Sequence, residues 1–451
     1  MTTAQHSPRP ALKAEIGVAG LWSLAVGLVI SGEYFGWSYG WGAAGTVGFL
    51  YTTVLVAVLY VAFIFSFTEL TTAIPHAGGP FAYARRAFGP FGGLVAGYAT
   101  LIEFALAPPA IAAALGAYIH FQFEAVPVWA VGLGAFVIFV GLNILGVKQA
   151  MRFEIFVTIL AVAELLVFMA VVAPGFSFDN FLAQQTPTRL AGVLAAIPFA
   201  IWFFLAIEGV AMAAEEVRDP RTTIPRGYIS GVLTLVALAF GVMIFAGGAG
   251  DWTKLTSIDS PLPEAMAMVV GRQSGWIHML VAVGLFGLLA SFHGIILACS
   301  RQVFALARAG YLPASLAAVH PARRTPHRAL IATGLLGAAA LLSGQTSELI
   351  TLSALGAIVM YIISMLALFR LRRTEPALAR PFRAPLYPLL PAVALGLSVL
   401  SLGVIVYFNP GVTAVFVGGF ALAALYYRVT ARRRSEAAPD ALLSGPRSGR
   451  S

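Results

Sequence analysis

The chain has 451 residues, of which 59% are hydrophobic and 10% are charged, and its mean hydropathy is +0.87. These values exclude an ordinary soluble domain, in which about 25% of residues are charged, and they predict an integral membrane protein. The net charge of +9 requires no nucleic-acid partner, because basic loops facing anionic lipid account for it.

Apolar runs long enough to cross a bilayer recur along the whole chain. A transmembrane helix needs about 20 predominantly apolar residues. Such runs lie near 17–40, 47–74, 91–119, 127–146, 154–173, 191–213, 228–249, 276–300, 329–343, 347–370, 385–407 and 411–430. The sequence therefore predicts an all-α integral membrane protein with twelve transmembrane helices, called spans 1 to 12 below.

The basic residues predict how these spans are oriented. With a cytoplasmic N-terminus, only Arg189, Lys254 and Arg272 of the 28 Lys and Arg residues fall outside, as the positive-inside rule expects. We therefore expect a multi-pass protein of the cell membrane, plasma or inner, with both termini in the cytoplasm. Polar cytoplasmic tails are predicted at 1–14 and 435–451, on either side of one membrane domain at 15–434.

Span 1 contains the segment VISGEYFGW, which runs from Val29 to Trp37. Glu33 places a carboxylate near the middle of the membrane, where a bare charge costs about 2.5–3.5 kcal/mol, so we expect a cationic partner. Gly32 and Gly36 interrupt the helix, and unpaired backbone groups are tolerated at this depth only beside protein or a water-filled cavity. A broken span with a charge predicts a binding site. The alternative is a kinked helix whose Glu33 is protonated or bonded within the bundle.

Four further ionisable residues lie inside later spans: Glu103 in span 3, Glu164 in span 5, Glu208 in span 6 and His293 in span 8. Ionisable groups within a membrane mark functional sites by default. Each glutamate has a structural alternative as an interhelical hydrogen-bond anchor. His293 can relay protons or simply pack. We predict Glu103 and Glu208 as substrate ligands, and Glu164 and His293 as candidates for coupling or proton transfer.

Five loop signatures follow one another along the chain. They are FTELTTAIPHAGGPFAYARRAFG (Phe67 to Gly89), LNILGVK (Leu142 to Lys148), AAEEVRDPRTTIPRG (Ala213 to Gly227), SRQVFALARAGYLP (Ser300 to Pro313) and RPFRAPLYPLLP (Arg380 to Pro391). In this order they resemble the amino acid–polyamine–organocation permeases over nearly the whole chain.

The resemblance implies a specific architecture. Spans 1–5 and 6–10 would form two inverted repeats of five helices, as in the leucine-transporter fold, at 15–189 and 190–372. Spans 1 and 6 would be discontinuous at the midplane. Spans 11 and 12, at 380–430, would be peripheral.

Span 1 departs from the pattern of that family. Members that carry amino acids typically have Gly-Ser-Gly or Gly-Ala-Gly there, whose amides hold the substrate carboxylate. The aligned triplet here is Ser31-Gly32-Glu33. Glu33 would repel a substrate carboxylate and attract an ammonium group, and Tyr34 can add a cation–π contact. In this detail the span looks like the ethanolamine permease branch.

Span 6 also matches the family only in part. Trp202 to Glu208 resemble its aromatic segment, but Phe203 stands in place of a small residue and Ala206 in place of a glycine. The bulkier segment implies either a small pocket or a break shifted toward Gly209.

These features predict a secondary transporter that takes up a small amino alcohol, with ethanolamine as the first candidate, by alternating access. Its partners would be a small amine substrate and the lipid bilayer, and no cofactor or metal site is expected. The predicted substrate-binding residues are Ser31, Gly32, Glu33, Tyr34, Glu103, Trp202, Phe204 and Glu208.

Several alternatives stay open at this point. An amino-acid or polyamine permease on the same fold is the nearest rival, and a channel or a transport-derived receptor is a rival from another class. An enzyme is not expected, because the chain has no metal-ligand motif such as H-E-x-x-H and no nucleophile and base at a fixed spacing. The coupling ion is open between a proton and sodium, for which Ser291 is a candidate ligand, and so is the oligomeric state.

Overall fold

The structure is a computed structural model that describes residues 16–146, 151–183 and 189–430. The tails predicted at 1–14 and 435–451 lie outside these residues. Within them every regular element is helical, and the isolated β-bridge between Ile16 and Val217 is the one recorded strand-like contact. The all-α prediction is confirmed for this part of the chain.

The α-helices are numbered in chain order. They are α1 Val18–Val29, α2 Ser31–Tyr34, α3 Trp37–Ala73, α4 Pro80–Gln122, α5 Val128–Leu145, α6 Met151–Val172, α7 Phe178–Leu182, α8 Leu190–Ala195, α9 Ile197–Trp202, α10 Pro220–Gly248, α11 Pro261–Val270, α12 Gly275–Arg308, α13 His327–Leu341, α14 Thr346–Thr374, α15 Leu389–Phe408 and α16 Pro410–Val429. Short 3₁₀ helices lie at Ala173–Gly175, Ile207–Glu216, Trp252–Leu255 and Ala314–Ala317.

Ten helical segments of the described chain are long and apolar enough to cross a membrane. They are Trp37–Ala73, Pro80–Gln122, Val128–Leu145, Met151–Gly175, Leu190–Glu216, Pro220–Gly248, Gly275–Arg308, Thr346–Thr374, Leu389–Phe408 and Pro410–Val429. Predicted spans 1 and 9 coincide with shorter apolar helices, Val18–Tyr34 and His327–Leu341. The fold is therefore that of a multi-pass helical membrane protein.

Two of the long helices contain a glycine with non-helical geometry. Gly45 in α3 has a φ of 67° and separates residues 37–44 from 46–73. Gly89 in α4 has a φ of 74° and separates a first short part from the part that begins at Pro90. Because these φ values are left-handed, glycine is the residue that adopts them without strain. The first part of α3 is the second half of predicted span 1.

The bundle has two opposite faces, which α14 connects. This helix has 29 residues and is therefore about 43 Å long. At its start, the Thr346 hydroxyl donates to Asp259 at 3.0 Å, and near its end Arg372 binds Glu69. We call the first end the Asp259 face. The other end is the Ile16 face, named after Ile16, which lies two residues before the start of α1.

A buried carboxylate holds the Ile16 face together. Glu69 near the end of α3 is 2% exposed, and Arg372 donates to both of its oxygens at 2.8 and 2.5 Å. Arg380 lies 3.2 Å from the same carboxylate, and the Ala384 backbone N–H donates to it at 2.7 Å. Glu69 thus joins α3 to α14 and to the segment that leads into α15.

Asp259 has a comparable role on the other face. Its carboxylate accepts from the Tyr39 hydroxyl at 2.8 Å as well as from Thr346. Burial raises the pKa of Asp259, and these two hydrogen bonds act in the opposite direction. The loop before α11 is thereby fastened to the first turn of α3 and to α14.

Candidate substrate site at two broken helices

The first helix break lies between α2 and α3. Phe35 is extended there, with a φ of −159°, and Gly36 has a φ of 92°. A Cβ at Gly36 would overlap the indole ring of Trp202. Gly36 therefore satisfies two constraints at once, a left-handed backbone and a close approach. Gly32, the other predicted interruption, lies inside the short helix α2.

The second break separates α9 from the 3₁₀ helix Ile207–Glu216. Ala206 has a φ of 76°, so it adopts the left-handed conformation at the position where the sequence resemblance suggested a glycine. An L-residue in this conformation costs about 1–2 kcal/mol. The alternative of a break shifted to Gly209 is wrong, because Gly209 lies within the 3₁₀ helix.

The two breaks touch each other. A Cβ at Gly32 would overlap the Trp202 carbonyl oxygen and the Phe203 backbone, so the two main chains meet with no side chain between them. The Phe35 ring lies edge-on to the Trp202 ring, with centroids 5.3 Å apart. The structure thus brings span 1 and span 6 together at their interruptions.

Unpaired polar atoms lie at this junction. Glu33 is fully buried, and neither of its carboxylate oxygens has a hydrogen-bond partner among the described residues. The cationic partner expected from the sequence is therefore not a side chain of the described residues. The Trp202 Nε1–H is likewise buried without an acceptor in this part of the chain. Because buried polar groups are almost always hydrogen-bonded, an unpaired acceptor and an unpaired donor make this junction a candidate ligand site.

The neighbours of Glu33 are bonded within the protein. The Tyr34 hydroxyl donates to Glu164 Oε2 at 2.5 Å, so this coupling candidate contacts the broken span directly. Ser31 Oγ lies 2.8 Å from Ser291 Oγ. Ser291 Oγ in turn donates to the Leu28 carbonyl at 2.6 Å. These bonds fasten the first half of span 1 to α6 and α12.

A second buried cluster surrounds Glu208. The Tyr361 hydroxyl lies 3.1 Å from Glu208 Oε2 and 2.9 Å from the Tyr60 hydroxyl. The Glu103 carboxyl lies beside that of Glu208, and the Phe204 ring is 5.0 Å from the Tyr60 ring. Three predicted site residues, Glu103, Phe204 and Glu208, therefore meet at this cluster.

Sequence reasoning missed Tyr60 and Tyr361. Both are fully buried. In the sequence they resemble the apolar phenylalanines around them, and only the structure shows which partners their hydroxyls contact. His293 takes a different place, because its ring lies 5.6 Å from that of Phe139 on α5. The described contacts place no bond between His293 and any of the buried glutamates.

Comparison with known proteins identifies the protein family. The sequence model described as "Amino acid permease" matches residues 20–435. This chain belongs to the amino acid permease family. Relatives include an uncharacterized transporter of Rhizobium meliloti, 29% identical over 412 residues that cover 87% of each chain. The branched-chain amino acid permease BcaP of Bacillus subtilis is 26% identical over 87% of this chain and 88% of its own.

A methylthioribose transporter of Bacillus subtilis is 25% identical over 82% of this chain and 83% of its own. The family's relatives are named as transporters and permeases, so the protein is a membrane transporter and not an enzyme. The substrates in their names differ in chemistry, from branched-chain amino acids to methylthioribose. Family membership therefore leaves the substrate of this permease to be argued from its own site.

Proposed function

We propose that this permease takes up a small amino alcohol across the cell membrane, with ethanolamine as the first substrate to test. The observation that carries the proposal is the Glu33 carboxylate, which is buried and unpaired at the junction of the two breaks. A ligand ammonium group supplies both the missing charge and N–H donors. Such a charge-assisted hydrogen bond is worth about 1.5–3 kcal/mol.

Other groups at the junction suit both the hydroxyl and the ammonium group of such a ligand. The unpaired Trp202 Nε1–H can donate to a hydroxyl oxygen, and the rings of Phe35 and Trp202 offer faces to an ammonium group. An amino acid would instead bring a second carboxylate toward Glu33. The resulting repulsion would select against ordinary amino acids.

We further propose twelve spans, with inverted repeats at 15–189 and 190–372 and peripheral spans at 380–430. Interruptions in the first span of each half support the repeat, and α16, where only Phe416 is buried among the described side chains, suits a peripheral position. The Ile16 face would be cytoplasmic, because the basic loops cluster there. Alternating access would then expose the junction to each face in turn.

An amino-acid permease on the same fold is the second candidate. The BcaP relative supports it, and the Ser31-Gly32 pair keeps part of the family's segment. A polyamine would find a second carboxylate cluster at Glu103 and Glu208. A channel or a receptor is the rival outside carriers, and it would show flux without saturation or binding without flux.

The test is uptake of labelled ethanolamine by the purified protein in liposomes, with unlabelled alanine, leucine and putrescine as competitors. We expect saturable uptake in which alanine and leucine compete poorly. Glu33→Gln should weaken apparent affinity by about one to two orders of magnitude, because it removes the charge-assisted hydrogen bond.

Glu124→Gln is the matched control, because it makes the same chemical change at an exposed position and should leave uptake unchanged. Glu33→Gly restores the family's usual glycine and should admit weak alanine binding. The proposal fails if the parent protein carries alanine as well as ethanolamine, or if Glu33→Gln transports ethanolamine normally.

A further inference from the structure

The first half of span 1 ends inside the protein, and its last carbonyl groups need partners. A helix leaves up to four carbonyls without intrahelical donors at its C-terminal end. Within a membrane, each unsatisfied backbone group costs several kcal/mol. Because Phe35 is extended and Gly36 is left-handed, the chain after Tyr34 no longer has the geometry that supplies these donors.

Two side chains donate to consecutive carbonyls at this end. The Trp37 Nε1–H donates to the Glu33 carbonyl at 3.0 Å, and the Tyr118 hydroxyl donates to the Tyr34 carbonyl at 2.9 Å. Both donors are fully buried. Trp37 belongs to the second half of the same span, whereas Tyr118 reaches across from α4.

Two glycines make room for the segment that is capped. The Tyr34 ring lies on α12 at Gly284 and Gly287. A Cβ at Gly287 would lie 2.7 Å from the Tyr34 hydroxyl, and one at Gly284 would lie 2.7 Å from Glu164 Oε1. The last residue of α2 is thus held at its side chain by α12 and α6 and at its carbonyl by α4.

We propose that Tyr118 and Trp37 are positioning residues that cap the broken helix and so hold Glu33 at the substrate site. The inference rests on the proposed function, because it takes the break as the place where substrate binds. In transporters with broken helices, the carbonyls of such a half-helix end can instead coordinate sodium. Here protein donors occupy the Glu33 and Tyr34 carbonyls, and Ser291 occupies that of Leu28. We therefore expect the site to keep its shape without sodium.

Two matched pairs of variants test the caps. Tyr118→Phe removes a hydroxyl that donates to the Tyr34 carbonyl. Tyr98→Phe removes one from the same helix that donates to the Phe416 carbonyl on α16 at 2.7 Å. Trp37→Phe removes a bonded indole N–H, whereas Trp41→Phe removes a buried indole N–H that has no acceptor among the described residues.

Tyr118→Phe and Trp37→Phe should each raise the KM for ethanolamine by about three- to tenfold, the effect of one hydrogen bond, with little change in maximal rate. Tyr98→Phe and Trp41→Phe should leave KM unchanged. Uptake by the parent protein should be equal in sodium and potassium media. Potassium is preferred to choline as the replacement ion because choline itself carries an ammonium group.

The caps are refuted if Tyr118→Phe changes KM no more than Tyr98→Phe does, even if both lower the melting temperature. A sodium requirement of the parent protein refutes the inference that these hydrogen bonds hold the site without sodium. Failure of the parent protein to carry ethanolamine counts against the proposed substrate alone. The same four variants are then measured with whichever of alanine, leucine and putrescine is transported when supplied in labelled form.

Discussion

Ala206 shows how a single residue shapes the second break. Its φ of 76° is a conformation that costs an L-residue about 1–2 kcal/mol, yet its methyl group is completely buried. Burial of one methyl-sized group contributes about 0.8 kcal/mol. The burial offsets much of the strain, which explains how an alanine can occupy a position that favours glycine.

This balance predicts that Ala206→Gly is nearly neutral for stability. The change relieves the strain, and it loses the buried methyl group and some rigidity of the unfolded chain. Ala211→Gly, at an equally buried position of the 3₁₀ helix, loses the same groups without relief of strain. In thermal unfolding in detergent, Ala206→Gly should therefore be more stable than Ala211→Gly by at least about 1 kcal/mol, with the higher melting temperature. Equal destabilisation of the two variants would show that Ala206 is unstrained.

Helix contacts on the Ile16 face give a prediction about whole elements. Glu69 is buried and meets Arg372, Arg380 and the Ala384 amide, so removal of its charge leaves two half-buried guanidinium groups without their partner. Loss of one partner from a buried ion pair typically costs about 3–5 kcal/mol. Glu69→Gln should accordingly lower the melting temperature of the purified protein strongly.

Glu264→Gln provides the comparison at an exposed pair. Arg272 lies 2.6 Å from Glu264, but their side chains are 54% and 29% exposed. Exposed pairs contribute about 0–1 kcal/mol, so this variant should melt close to the parent protein. If both variants melted alike, the Glu69 network would hold the helices no better than a surface ion pair does.

The same elements show what the sequence could and could not predict. The long apolar runs predicted the helices. Gly36 marked the first break, because the conformational freedom of a glycine can be recognised in the sequence without knowing its neighbours in space. The hydrogen bonds that cap the helix could not be predicted from the sequence. Tyr118 lies 84 positions from the carbonyl it binds, and Arg372 lies 303 positions from Glu69. The role of a tyrosine or arginine near an apolar run can be assigned only when the packing of the helices shows which acceptor it contacts.

At the scale of the whole molecule, the candidate site is buried, and each face of the bundle has its own polar network. Glu33 is fully buried, Tyr39 and Thr346 hold Asp259 on one face, and Arg372 holds Glu69 on the other. In the proposed alternating-access cycle, the site would open toward one face at a time. The proposed orientation assigns the Ile16 face to the cytoplasm, so each network is reached from a different aqueous compartment.

That assignment predicts the sidedness of single introduced cysteines. The parent Cys299 is buried and should react little with an impermeant thiol reagent, and replacing it by Ser gives a clean background. Cysteines on the Ile16 face should react only from the cytoplasmic side and those on the Asp259 face only from outside. The first set replaces Arg85, Arg221 and Arg324, and the second replaces Gln122, Thr256 and Gln345. Because α14 alone separates the faces by about 43 Å, no position should be labelled from both sides in intact cells. Labelling of Arg85→Cys from outside together with Gln122→Cys from inside would invert the orientation, and mixed labelling within either set would contradict the twelve-span arrangement itself.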